Sequence, residues 1–267
     1  MQEEIMPVSA FTRAVATKLA VFKRPVEAVF GVEAAMAAAW ASNAHWRLHL
    51  ANRGLPPAPE YYNHKLDLYW QWPTTRNSLW LERGVYSMLA IQPDSQVLEV
   101  CCGDGFNSYF FYSKKAASLT AVDFDPQAIA YAKRHYSLPN VRFQVADIRT
   151  DVPAGDYDNV VWDGAIEHFT ESEIESVMPV LKARLSKRGG ILSGYTIVER
   201  QDGKKSLEQH EYEFKSKEDL LRFITPHFKN ATVFETIFPE RHNLYFWAGD
   251  DEIPFAANWA GAITSRS

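Results

Sequence analysis

From residue 96 to residue 249, short apolar runs alternate with stretches of helical spacing. The runs at 97–101, 118–122, 141–146 and 158–162 have the length and flatness of buried strands. Between them, 106–113 begins a helix. Asp125-Pro126 then offers a cap and a first-turn proline for a second helix ending at His135. Residues 171–185 read as helix and Arg188-Gly189-Gly190 as a turn. A strand follows at 191–197, then a helix at 217–224 capped by Ser216. Residues 231–238 and 242–249 form two strands, and the short Pro239-Glu240-Arg241 link makes them antiparallel. The pattern predicts an α/β fold: a doubly wound, mostly parallel seven-stranded sheet with helices on both faces and an antiparallel C-terminal hairpin strand.

The upstream third is a different kind of sequence. Residues 8–53 are helical in pattern, with an alanine-rich middle at 34–41 and a stop at Gly54, Pro56, Pro57 and Pro59. Residues 60–85 are dense in aromatics (Tyr61, Tyr62, Tyr69, Trp70, Trp72, Trp80), with Arg76 and Arg83 among them. Two readings stay open for these rings: packing against the main domain, or a lid facing a ligand. The expected organisation is an N-terminal helical cap over 1–90, a doubly wound α/β domain over 91–250 and a tail over 251–267. Lys18, Lys23 and Arg24 beside Val15, Leu19 and Phe22 allow a membrane-surface helix. A packed or swapped helix, giving a homo-oligomer, is the simpler expectation.

Composition narrows the function classes. With 267 residues, 46% of them hydrophobic, the chain can build a large core without disulfides. A net charge of -5 gives no basic excess for gripping nucleic acid. The two cysteines, Cys101 and Cys102, are adjacent, so their spacing makes neither a disulfide framework nor a zinc site. A reducing, cytoplasmic setting is expected. Glu3 and Glu4 open the chain without a basic, then apolar, leader, and the run at 26–41 is broken by Glu27 and Glu33. Neither a signal peptide nor a membrane span is expected.

In doubly wound sheets the ligand lies at the carboxyl ends of the strands. The first such end is the stretch Gln96-Val97-Leu98-Glu99-Val100-Cys101-Cys102-Gly103-Asp104-Gly105-Phe106, a strand running into a glycine turn. Asp123 follows 20 residues beyond Gly103, the spacing at which a carboxylate reaches ribose hydroxyls. Asp147 ends the third strand, where an acceptor can take an adenine amino hydrogen. Glu99, Asp104, Asp123 and Asp147 make the pocket acidic, which disfavours a pyrophosphate and suits an adenosine ligand carrying a sulfonium and an ammonium.

With these residues the chain resembles the class I S-adenosylmethionine-dependent methyltransferases over about residues 92–250. The resemblance rests on residues 97–105, on Ala121-Val122-Asp123-Phe124-Asp125-Pro126, on Ala146-Asp147-Ile148, on residues 157–163 and on the Arg188-Gly189-Gly190-Ile191-Leu192 turn. It implies S-adenosyl-L-methionine as cofactor. The ribose acid would be Asp123 with Phe124 beside it, and the adenine side Asp147 with Ile148. The methionine side would be Glu99, Cys101, Gly103 and Gly105, with the carbonyl of Trp162 facing the ammonium. That family usually has glycine where this chain has Cys101, so either the backbone avoids positive φ there or the loop is slightly remodelled.

Methyl transfer needs an acceptor lone pair in line with the sulfonium methyl, and a base where the acceptor must lose a proton. Glu167 and His168 follow the fourth strand beside the expected methyl position; their alternative role is to pack or cap the next helix. His210, in the loop after the fifth strand, is a second base candidate, with a solvated loop histidine as its alternative. Gly164 replaces the extra glutamate of metal-dependent relatives, so no metal is expected. Arg76 or Arg83 is a candidate partner for the ligand's carboxylate. The expected activity is methyl transfer to a small-molecule acceptor, oxygen slightly favoured. The competing classes are a nicotinamide-dependent oxidoreductase and a binding module that holds S-adenosylmethionine without turnover.

Overall fold

The computed structural model describes residues 79–238 and 241–253, together with positions 36, 37, 40, 41 and 44. Those five positions are helical. The rest of the 8–53 stretch, the aromatic residues 61–72, Arg76 and the tail from 254 lie outside the described residues. The chain divides into two units, Met1–Thr74 and Thr75–Ser267. The second unit carries the sheet.

Helix α1 (Leu79–Ala90) precedes strand β1 (Ser95–Val100), which runs into the short helix α2 (Phe106–Phe110) and a 3-10 turn at Tyr112–Lys114. Then come β2 (Ala116–Asp123), α3 (Pro126–His135), β3 (Val141–Val145) and β4 (Asn159–Asp163). A second 3-10 turn (Ile166–His168) leads into α4 (Glu171–Arg184), followed by β5 (Ile191–Ile197), α5 (Lys217–Ile224), β6 (Asn230–Phe238) and β7 (Arg241–Gly249). The seven strands form one sheet in the order β3-β2-β1-β4-β5-β7-β6. The pairs among β1 to β5 are parallel, and β7 runs antiparallel to both β5 and β6. This is the predicted sheet.

Local signals fix the helix starts. The Asp125 carboxylate accepts the Gln127 amide at 2.7 Å, and Pro126 follows it. Thr170 and Glu173 close a capping box at α4, and Ser216 accepts the Asp219 amide at α5.

Alternate residues of the central strands face opposite layers. Leu98, Val100, Val160, Trp162 and Leu192 pack with Ile174, Val177, Met178 and Leu181 of α4 and with Leu220, Phe223 and Ile224 of α5. Val97, Leu119, Ala121 and Val161 pack on the other side with Phe106, Ile129 and Ala132. Each fully buried Leu, Ile or Phe contributes about 1.5–3 kcal/mol, so the buried centre of the sheet holds the strand ends rigidly.

The alternation of residues 60–85 does not reveal α1. Gly84 sits in the middle of this helix, where a glycine costs about 1 kcal/mol relative to alanine. Its reason is tertiary: a Cβ there would lie 2.3 Å from the Phe111 ring. Among the described residues, no helix is long and apolar enough to cross a membrane.

Candidate active site

The strand order reverses direction between β1 and β4, and the crevice at such a switch point is where open α/β sheets bind ligands. Two loops enter it, residues 101–105 after β1 and residues 164–168 after β4.

The first loop turns through three left-handed residues, Cys101 at φ 56, Gly103 at φ 54 and Gly105 at φ 81. Cys101 therefore adopts the backbone expected of the glycine it replaces, rather than avoiding it. That conformation costs a non-glycine residue about 1–2 kcal/mol. Gly105 has a further constraint, because a Cβ on it would come within 2.7 Å of the Phe143 ring. Four amides along this turn are spoken for within the protein. Cys102 donates to the Val122 carbonyl (2.9 Å), Gly103 to Asp123 Oδ2 (2.9 Å), Gly105 to the Cys102 carbonyl (3.0 Å) and Phe106 to Asp104 Oδ1 (3.0 Å).

Asp123, 8% exposed, closes β2, and its Oδ1 also accepts the Asp125 amide at 2.9 Å. The candidate ribose acid is thus also the strut that ties the glycine loop to the second strand. Phe124 beside it is 65% exposed, a large apolar face left open at the site. Asp147 stands at the end of the third strand in a two-pronged ion pair with Arg149, whose Nη2 lies 2.7 Å from Oδ2 and whose Nε lies 2.9 Å from Oδ1. The guanidinium holds the Asp147 carboxyl below the usual carboxylate range. Ile148 turns its side chain into the core. The Cys101 thiol is pushed up by burial first, and then by the carboxylates of Asp123, Asp147 and Glu167, which all act on it.

Beneath the loop lies a buried polar layer. Glu99 is 3% exposed and accepts the Ser108 hydroxyl. Burial pushes its carboxyl up to about 8, with Asp163 and Asp104 adding to burial and Ser108 and Arg83 opposing it. Asp163, at the end of β4, accepts the Ser87 hydroxyl at 2.7 Å and the Tyr112 hydroxyl. Burial raises it to about 6 against the opposing pull of Arg83, Tyr112 and Ser87. Arg83 is thus the countercharge of this layer, and its guanidinium carbon also lies 5.9 Å from the centre of the Tyr195 ring. Ser87, Tyr112 and Ser108 carry no sequence signal for this role, since each meets its acid only through the fold.

The acidity of the pocket is accordingly smaller than a count of carboxylates predicts. Glu99 is largely protonated at neutral pH and Asp147 is neutralised by Arg149. The sign of the Glu99 effect is testable. Its folded value is raised, so the folded state favours the protonated form. The penalty is absent below about 4.5, grows as pH rises, and is complete above about 8. Glu99→Gln should therefore leave the melting temperature unchanged near pH 4.5 and raise it at pH 9, by a stability on the order of a few kcal/mol. Equal gains at both pH values would show that Glu99 is not the titrating group.

The second loop carries the candidate catalytic residues. Trp162 is fully buried and meets Phe169 edge-on at 5.2 Å. Glu167 is 2% exposed, and its Oε2 accepts the Thr196 hydroxyl at 3.0 Å. Its backbone carbonyl accepts the amides of Glu211 (2.8 Å) and Tyr212 (3.1 Å), which pins the distant loop carrying His210 against this turn. The His168 and His210 rings meet nearly at right angles with centres 4.8 Å apart. One ligating atom from each of Glu167, His168 and His210 lies within 4.8 Å of the others. Each imidazole has its Nδ1 held: His168 by the Gln209 carbonyl (3.3 Å), His210 by Glu213 Oε1 (2.5 Å). The structure therefore brings all three predicted residues together. Glu213, almost as buried as His210, is the partner that sequence reasoning passed over, although its place three residues on was visible. His242 lies apart, paired with Glu235 across the terminal hairpin at 2.7 Å.

Comparisons with known proteins bear on the domain and its fold. Residues 97–190 match the family model described as a methyltransferase domain. An uncharacterised methyltransferase from Synechocystis sp. is 29% identical over 107 residues, which is 39% of this chain and 48% of that protein. The ribosomal protein L11 methyltransferase of Burkholderia mallei is 36% identical over 90 residues, 33% of this chain and 28% of that protein. The chain thus spans about half or less of these curated relatives. Among solved structures, NodS from Bradyrhizobium japonicum WM9, an N-methyltransferase in complex with S-adenosyl-L-homocysteine, superposes with a TM-score of 0.53 at 17% identity. That match covers 67% of this chain and 92% of NodS. The DhpI–SAH complex gives a TM-score of 0.52 at 20% identity, covering 70% and 90%. At such identities these structures speak for the fold alone. Sheet order, switch-point loops and the match converge: over residues 97–190 this chain matches a methyltransferase domain, set in a Rossmann-like fold.

Proposed function

We propose that the protein transfers the methyl group of S-adenosylmethionine to a small-molecule acceptor, with oxygen as the favoured nucleophile. The observation that carries the cofactor assignment is the loop after β1. Its Gly103, Gly105 and Phe106 amides all donate to protein acceptors, two of them to carboxylates. A dinucleotide would need those donors for its pyrophosphate. A sulfonium ligand needs none of them and is favoured by the flanking Asp104 and Asp123. In this reading Asp123 takes the ribose hydroxyls, Phe124 covers one face of the adenine, and the Asp147 side of the pocket takes its edge. The Trp162 carbonyl faces the methionine ammonium.

Glu167, His168 and His210 then form the acceptor end of the site. Glu167 and His210 are almost fully buried, and side chains so enclosed suit a small acceptor better than the surface of a folded protein. The acceptor O–H loses its proton at this cluster. An oxygen lone pair forms the new O–C bond while the S–C bond breaks toward sulfur, leaving a methyl ether and neutral S-adenosylhomocysteine. Alignment and exclusion of water supply most of the rate.

A thermal-shift comparison tests the assignment. S-adenosylmethionine and S-adenosylhomocysteine should each raise the melting temperature, by a stability of about 2.7 kcal/mol at a hundred times the Kd. NADH and NADPH should raise it not at all. Stabilisation by a dinucleotide with none by S-adenosylmethionine would overturn the reading.

A further inference from the structure

Glu167, His168 and His210 are arranged as ligands more than as a free base. We propose that they bind one divalent first-row transition-metal ion, of which Zn2+ and Mn2+ are the probes, and that this ion holds the acceptor oxygen. The inference rests on the methyl-transfer reading for its purpose, but not for its test.

Three features support it. The donor set is two imidazoles and one carboxylate, a combination that binds Zn2+ and its neighbours while leaving coordination positions open for an exogenous oxygen. The three donor atoms already converge to within 4.8 Å of one another. A tetrahedral ion with ligands at about 2.1 Å needs separations of about 3.4 Å, so the three side chains must draw together on binding it.

The decisive feature is the second layer. A metal-ligating histidine characteristically gives its other ring N–H to a carboxylate or a backbone carbonyl, which fixes the tautomer and turns the remaining lone pair to the ion. His210 has Glu213 Oε1 at 2.5 Å from Nδ1, and His168 has the Gln209 carbonyl at 3.3 Å from Nδ1. A carbonyl oxygen accepts only, so His168 must donate through Nδ1, which leaves Nε2 as a lone pair. The carboxylate imposes the same tautomer on neutral His210. Thr196 does for Glu167 what Glu213 does for His210, donating to Oε2 and steering the carboxylate. The expectation of no metal rested on Gly164 standing where a further glutamate would be. His210, brought in from the loop after β5, supplies the third ligand instead.

An ion so held would bind the acceptor's hydroxyl directly and acidify it. Glu167, His168 and His210 would hold the ion, and its charge would ease loss of the hydroxyl proton before the oxygen lone pair takes the methyl from sulfur. Acceptors offering two adjacent oxygens, such as a catechol or a vicinal hydroxy-carbonyl, fit the open positions best.

The whole chain, freed of metal by chelation, should bind Zn2+ one-to-one in calorimetry, and Mn2+ should show one site in electron paramagnetic resonance. Glu167→Gln and His168→Ala should each weaken that site at least about 100-fold, and Glu213→Gln about 10- to 100-fold. His242→Ala should leave it unchanged. Long-range 15N–1H NMR of the wild-type protein should show Zn2+ shifting the Nε2 resonances of His168 and His210, a readout independent of any variant. No one-to-one binding, or binding that these three substitutions leave intact, would overturn the proposal. S-adenosylmethionine stabilisation of the metal-free protein is read separately. If it persists where metal binding fails, the metal site falls and the methyltransferase reading stands.

Discussion

Asp123→Ala should abolish measurable S-adenosylmethionine binding, raising the Kd more than about 100-fold. The substitution removes two things at once. One is the acceptor for the ribose hydroxyls, where a hydrogen bond to a charged group is worth about 1.5–3 kcal/mol. The other is the strut that holds the Gly103 and Asp125 amides at 2.9 Å each. Asp123→Asn separates them. It keeps a carbonyl oxygen for one amide and loses the charge, so it should retain most of the folded stability while binding remains impaired. Calorimetry reads the affinity and a melting curve reads the fold. Unchanged affinity in Asp123→Ala would mean that the ribose does not lie at the end of β2.

The second large effect is expected far from any ligand. Gly194 pairs with Trp162 across β4 and β5. A Cβ on it would lie 2.3 Å from the Trp162 carbonyl oxygen and 2.4 Å from the Phe246 ring. The oxygen belongs to the backbone of a fully buried strand and the ring to the core, so neither can move aside cheaply. Overpacking a core of this kind costs about 1–3 kcal/mol or more, and Gly194→Ala should fall at or beyond the top of that range. A chemical denaturation midpoint shows it directly. Because the same carbonyl is the proposed neighbour of the methionine ammonium, any surviving folded protein should also bind S-adenosylmethionine more weakly. A midpoint equal to the wild type would mean that β4 and β5 lie farther apart than this.

The centre of the sheet was legible because β1, β4 and β5 are buried on both faces. Runs such as Val160-Val161-Trp162 announce themselves without alternation, and Asp125-Pro126, Thr170 and Ser216 mark helix starts by local chemistry alone. The strand-end residues were legible for the same reason: once strands are placed, their carboxyl ends follow. What escaped was whatever depends on contacts between distant segments. α1 is obscured by Gly84, which is explained only by Phe111. Glu99 looks like an anion in the sequence and becomes mostly neutral at pH 7 only when the fold buries it. Asp147 looks like an open acceptor until Arg149 folds back on it. Cys101 looks like a departure from the loop's geometry, yet its φ of 56° keeps the turn. Glu167 and His210 become neighbours only because the Glu167 carbonyl holds the Glu211 and Tyr212 amides.

Helix α1 lies outside the stretch that matches the methyltransferase family, yet the sheet is fastened to it. Ser87 completes Asp163, and the Ala90 carbonyl accepts the Asn159 side-chain amide at 2.9 Å. The Tyr86 carbonyl accepts the Trp247 indole, and Glu82 takes the hydroxyls of Thr236 and Tyr245. These bonds reach β4, β6 and β7. The segment shared with relatives and the segment able to stand by itself therefore have different borders. A fragment trimmed to residues 97–190 would keep the inherited signature while leaving buried acids and amides of the sheet without the partners that make them tolerable.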